Sequence, residues 1–256
     1  MSKIPAAFQQ GKAFIGFVTA GDPSLEKTED FALALADAGT DLIEIGIPFS
    51  DPIAEGPVIQ QANIRALSAG TNLSGIFRLT EKLRRKIKTP LAFLTYLNPV
   101  FHWGYDRFFR TCREIGIDGI IIPDLPFEEQ PEAQTIAGAY GVDVISLIAP
   151  TSEQRIQRIA ANAEGFLYVV SSMGVTGIRQ NIETDLAGMI QTAKVTAKVP
   201  IAVGFGINTP EQAAEIARFA DGVIVGSALV KIIAEYQTSA APHLANYVKK
   251  MKQAIA

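Results

Sequence analysis

The stretch "LIEIGIPFSDPIAEGPVIQ", residues 42–60, runs from a continuous apolar segment through a short loop into a segment of helical character. A strand that is apolar on both faces belongs to a sheet covered on both sides, as parallel sheets are. Only Glu44 interrupts it, and Asp51 and Glu55 follow within one loop. The fold turns on how often this strand-to-helix step recurs.

It recurs at intervals of roughly 30 residues, the pattern of parallel strands joined by crossover helices. Eight runs carry it: "AFIGFVT" (13–19), "DLIEIGI" (41–47), "LAFLTYL" (91–97), "GIIIPD" (119–124), "VDVISLI" (142–148), "FLYVVSS" (166–172), "IAVGFG" (201–206) and "GVIVGS" (222–227). Between the first two, Phe31, Ala34, Leu35 and Ala38 fall on one helical stripe, with Thr28 placed to cap the start and Gly39 to end it. Asp106, Thr151, Thr184 and Thr209 stand as N-caps before later periodic segments. Eight units in 256 residues match a (β/α)8 TIM barrel better than an open doubly wound sheet. No linker or low-complexity tract divides residues 1–256, so one barrel domain is expected. The second unit is enlarged, because Pro48 to Pro90 holds two helical segments, and the first ten or so residues form a short helix over the barrel's bottom.

Composition narrows the function. Hydrophobic residues make up 48% of the chain, enough for a large core, and 23 basic against 26 acidic residues give a net charge of -3. That balance provides no field for gathering nucleic acid or anionic lipid. The single Cys112 excludes an internal disulfide, and neither a leader nor an apolar run of roughly 18 to 20 residues is present, so a cytoplasmic location is expected.

Alternation along "LIEIGI" puts Ile43, Ile45 and Ile47 against the helices and Leu42, Glu44 and Gly46 inside the barrel. A buried carboxylate has a raised pKa, which suits a general acid near neutral pH, although hydroxyls such as those of Tyr168 or Thr19 could satisfy it as a purely structural group. The Pro48–Pro57 loop follows a strand's C-terminal end, where barrel enzymes react. At the last three strand ends, glycines leave bare N–H groups for an anion, and "SALVKII" starts a helix there. Gly177, Gly206, Gly226 and Ser227 are the expected phosphate ligands, and "SSMGVTGIRQN" (171–181) has the composition of a lid. None of the 12 Lys residues stands near a strand's C-terminal end, which excludes a lysine Schiff base, and His102 and His243 are too far apart to anchor a metal site. Carboxylates remain the acid–base candidates.

The motifs "TAGDP" (19–23), "EIGIPFSDPIAEGPVIQ" (44–60), "TYLNPVF" (95–101), "PDLP" (123–126), "GVTG" (174–177), "VGFGI" (203–207) and "DGVIVGSALV" (221–230) resemble the tryptophan synthase alpha chain family along the whole sequence. The second motif is the specific one. The resemblance implies cleavage of indole-3-glycerol phosphate to indole and glyceraldehyde 3-phosphate, with no cofactor in this chain. It implies Glu44 as the acid–base carboxylate and places Glu55 where the family normally has Asp. Phe17, Leu94, Tyr96, Ile121, Ile148 and Tyr168 match the apolar indole pocket, Thr176 a lid residue that touches the catalytic carboxylate, and Phe205 a flank of the phosphate loop. Asp51 matches a position contacting the partner, a pyridoxal-phosphate beta chain in an alpha-beta-beta-alpha tetramer. The extra methylene of Glu55 leaves two alternatives beside a fully active lyase half: a weakly catalytic subunit that activates its partner, or a standalone lyase.

Overall fold

In the computed structural model the described residues are 2–170, 182–204 and 206–256. Among the described residues nine strands, all paired in parallel, make one sheet: β1 (Ala13–Thr19), β2 (Leu42–Gly46), β3 (Leu91–Leu94), β4 (Gly119–Ile121), β5 (Asp143–Ile145), β6 (Leu147–Ile148), β7 (Leu167–Val170), β8 (Ile201–Gly204) and β9 (Gly222–Val225). Their order is β5-β4-β3-β2-β1-β9-β8-β7-β6. The two ends of that order are separated in the chain by Ser146 alone, so the sheet closes on itself as the barrel expected from the eight runs. The fifth run is divided into two strands at Ser146, whose hydroxyl donates to Gln130 Oε1 at 3.1 Å.

Eleven α-helices connect and flank the described strands: α1 (Leu25–Asp37), α2 (Pro57–Ser68), α3 (Leu73–Lys86), α4 (Leu97–Trp103), α5 (Tyr105–Ile115), α6 (Gln130–Ala139), α7 (Glu153–Ala161), α8 (Ile182–Lys194), α9 (Pro210–Ala217), α10 (Ser227–Tyr236) and α11 (Ala241–Ile255). Helices α2 and α3 both lie between β2 and β3, the enlarged second unit. The third run is shorter as a strand than its apolar character suggests. It ends at Leu94, and Leu97 opens α4 with its N–H donated to Asp124 Oδ1 at 2.8 Å.

Strand alternation divides the core in two. Phe14, Val18, Ile43, Ile45 and Phe93 face the helices, whereas Ile15, Leu42, Ala92, Ile145, Phe166 and Ile224 fill the barrel interior. A 3-10 helix, Ile4–Phe8, closes the bottom and sends Ile4 and Ala7 into that interior layer. Gly119 leaves room for it, since a Cβ there would lie 2.6 Å from Ile4 Cδ1.

Three aspartates that precede strands stitch the same end. Asp41 accepts from Phe14 N at 2.6 Å, Asp118 from Leu91 N at 3.1 Å, and Asp221 from Ile201 N at 2.9 Å. Each satisfies an N–H that would otherwise be orphaned at a strand start. The bottom is thus closed by side chains, and the opposite end is left to the loops.

Candidate active site

A cavity of about 280 Å3 opens at the C-terminal ends of the strands, near the lower bound for a small-molecule site. Phe17, Glu44, Glu55, Leu94 and Tyr168 line one part of it, and Gly206, Gly226, Ser227 and Lys231 line another. Two glycines make its aromatic walls possible. A Cβ on Gly46 would lie 2.5 Å from the Phe17 ring, and one on Gly204 would lie 2.4 Å from the Tyr168 hydroxyl.

Glu44 is 1% exposed. Register places it between Phe17 of β1 and Ala92 of β3, neither of which offers a polar side chain. Its Oε1 has no hydrogen-bond partner among the described residues, and neither do Tyr168 nor Thr19 bond to it. Burial pushes this carboxyl up to about 8. Tyr168 is raised well above the ordinary phenol range, by desolvation first and by the nearby Glu44 second. A buried carboxyl facing a cavity, with no partner for Oε1 among the described residues, is held ready to carry a proton, because burial disfavours its charge.

Glu55 reaches the same cavity from the β2–α2 loop and is half-buried. Desolvation raises it to about 7, opposed by the Asn63 amide, whose Nδ2 donates to Glu55 Oε2 at 2.9 Å. Gln60 Nε2 donates to the Glu55 carbonyl at 2.8 Å. From the other side the loop is fixed by Tyr96, whose hydroxyl accepts from Ala54 N at 2.9 Å and whose ring stacks on Phe49 at 5.1 Å. Tyr96 therefore holds the carboxylate loop rather than lining the cavity. Asp51, on the same loop, is exposed and bonded to Ser50 Oγ.

The other expected residues separate. Ile121 is buried in the interior layer, outside the cavity lining. Ile148 is a correction: it pairs with Val169 and packs with Ile156 and Ile159 in an outer cluster between sheet and helices. Alternation explains this, since Ile145 and Leu147 face inward and Ile148 therefore faces outward. Thr176, Gly177 and Phe205 lie outside the described residues.

At the other side of the cavity, Gly206 adopts φ +85°, a conformation open to glycine at low cost. Gly226 is the N-cap of α10 and Ser227 its first residue, so the helix's free N–H groups point toward the cavity. Lys231 lies one turn further along α10 and also lines it. Lys231 was not among the expected phosphate ligands, and it reaches the cavity from a helix rather than from a strand end. The i, i+4 spacing from Ser227 was the available signal. Asn63, Gln60 and Asn208 were also not singled out from sequence.

Residues 5–256 match the family model described as "Tryptophan synthase alpha chain". The chain belongs to the tryptophan synthase alpha chain family. It is 46% identical over 255 residues to the tryptophan synthase alpha chain of Lacticaseibacillus casei, covering 100% of this chain and 96% of that one. It is 48% identical to the alpha chain of Lactiplantibacillus plantarum over 256 residues, covering 100% and 97%. Tryptophan synthase subunit alpha from Legionella pneumophila superposes with a TM-score of 0.91 at 37% identity, covering 100% and 98%. A chain from the tryptophan synthase α2β2 complex of Pyrococcus furiosus gives 0.88 at 38% identity, covering 95% and 100%. By family the chain is a tryptophan synthase alpha subunit, an enzyme of tryptophan biosynthesis with the TIM-barrel fold.

Proposed function

We propose that this chain cleaves indole-3-glycerol phosphate to indole and glyceraldehyde 3-phosphate, with Glu44 as acid–base and Glu55 as the carboxylate beside the indole N–H. The observation that carries the reading is the pairing, in one cavity, of a buried carboxyl whose Oε1 has no partner among the described residues with a second, more exposed carboxylate, opposite the start of a helix. Protonated Glu44 delivers its proton to indole carbon 3. The ring then becomes the electron sink, and ionised Glu55 stabilises the positive charge that develops at the N–H. As the carbon–carbon bond breaks, the electrons return to the ring and the glycerol hydroxyl loses its proton to the Glu44 carboxylate, which restores the acid. Lys231, Gly206, Gly226 and Ser227 hold the phosphate.

The chain works as a single barrel domain in the cytoplasm, without a cofactor of its own. Its partner is a pyridoxal-phosphate beta chain in an alpha-beta-beta-alpha tetramer. Support for the partner comes from Ile53 and Phe101, 79% and 69% exposed on segments that follow strand ends beside the cavity, together with exposed Asp51. No helix among the described residues is long and apolar enough to cross a membrane.

The test is indole release from indole-3-glycerol phosphate, with and without a beta chain. Wild type releases indole slowly alone and faster with the partner. Its kcat/KM rises as Glu55 ionises near pH 7 and falls as Glu44 deprotonates near pH 8. Glu44→Gln abolishes release while phosphate binding persists. Full activity in that variant sinks the assignment.

A further inference from the structure

We propose that Asn63 is a positioning residue for the Glu55 carboxylate, and that the combined length of the Glu55 and Asn63 side chains sets where that carboxylate stands. The inference rests on the role given to Glu55 above. Asn63 is 4% exposed, so its amide is committed to the interior. Its Nδ2 meets Glu55 Oε2 at 2.9 Å, within good hydrogen-bond range. Gln60, three residues earlier on α2, holds the Glu55 main chain at 2.8 Å, so one helix face fixes the backbone and the carboxylate of the same residue.

The helix itself is anchored. Two residues beyond Asn63, Arg65 binds both oxygens of the buried Asp22 in the β1–α1 loop, at 2.8 and 2.7 Å. A bidentate pair of this kind fixes angle as well as distance. Asn63 is therefore delivered to Glu55 by a helix tied to the rim of β1. Being neutral, its amide orients the carboxylate without cancelling the charge that the reaction needs. With backbone and amide both fixed, the carboxylate position depends on the combined length of the two side chains. Shortening one and lengthening the other by the same methylene keeps that length.

The experiment moves the methylene. Asn63→Ala, Asn63→Gln, Glu55→Asp, Glu55→Ala and the double variant Glu55→Asp/Asn63→Gln are compared in the full chain with its beta partner, by indole release and thermal melts. Glu55→Asp and Asn63→Gln each lower kcat, on the order of 10-fold to 100-fold for displacements near 1 Å, with little change in KM. The double variant recovers most of the loss, which a merely structural role for Asn63 does not predict. Asn63→Ala moves the acidic limb of the pH profile upward, because the donor that favours the ionised form is gone. Glu44 of β2, Tyr168 of β7 and Lys231 of α10 line the same cavity, Tyr96 backs the Glu55 loop, and all four are unchanged in that comparison. A double variant no better than the product of the two singles overturns the proposal, as does a gain in rate from Glu55→Asp alone. If Asn63→Ala fails to fold, the Asp–Gln exchange still decides. Full activity in Glu55→Ala removes Glu55 from the mechanism and the proposal with it; a dead Glu55→Ala beside a normal Asn63→Ala removes the proposal only.

Discussion

Glu44 binds its proton more tightly in the folded chain than in the unfolded one, since burial takes its carboxyl from the ordinary 4.5 to about 8. Between those two pH values the native state keeps a proton that the unfolded chain releases. The stability associated with that proton is complete below about pH 4.5, declines as pH rises, and is lost once pH passes about 8. Over the whole interval the change is on the order of a few kcal/mol. Glu44→Gln keeps a neutral group of the same shape, so denaturant unfolding at pH 5, 7 and 9 should show a flatter profile and a variant more stable than wild type at pH 9. Equal slopes for the two proteins would mean that Glu44 is not the buried titrating group. The same residue was legible in the sequence because parity within "LIEIGI" is local: one acid among alternating apolar positions has only two faces to choose from. Ile148 shows the limit of resemblance without parity, for the alternation from Ile145 already pointed it outward. Asn63 was not legible, since its contact depends on how a helix packs back over its own preceding loop.

At the scale of elements, caps were harder to read than strands. Thr209 does open α9, with a capping box in which its hydroxyl accepts from Gln212 N at 3.3 Å and Gln212 Oε1 accepts from Thr209 N. Elsewhere neighbouring polar residues compete and geometry chooses: Ser24 caps α1 although Thr28 was the candidate, and Ser152 caps α7 in place of Thr151. Asp106 falls inside the first turn of α5, whose N-cap is Gly104. In α1 the displaced Thr28 still works locally, accepting from Gly21 N at 2.9 Å and so bracing the β1–α1 loop. The α9 cap has a consequence for the site, because Gln212 Oε1 also accepts from Asn208 N at 2.9 Å, and Asn208 and Gly206 both line the cavity. Thr209→Ala should cost about 1 kcal/mol of stability. It should also raise KM for indole-3-glycerol phosphate severalfold, with kcat nearly constant, because it loosens the loop proposed to hold the phosphate and not a proton-transfer group. A fall in kcat at unchanged KM would contradict that division.

Across the whole molecule, the barrel separates stability from chemistry along its axis, as this architecture generally does. Asp118 concentrates the bottom end: it accepts from Lys3 N at 3.0 Å and Leu91 N at 3.1 Å and lies 3.5 Å from Arg84, while being 5% exposed. It joins the N-terminal plug, the start of β3 and the end of α3 in one contact. Asp118→Ala leaves the Leu91 N–H and the half-buried Arg84 guanidinium without this partner, a loss of about 3 kcal/mol. In a chain of 256 residues this should lower the melting temperature by several degrees. The indole-release rate per folded molecule should change by less than about twofold, because neither Glu44 nor Glu55 is touched. Glu44→Gln should do the opposite, removing activity while the fold holds at neutral and higher pH. Melting curves and kcat measured on the same two preparations test the separation directly: a bottom variant that loses rate without losing stability would show that the 3-10 plug and strand starts transmit into the cavity, and that the two ends of the barrel are coupled.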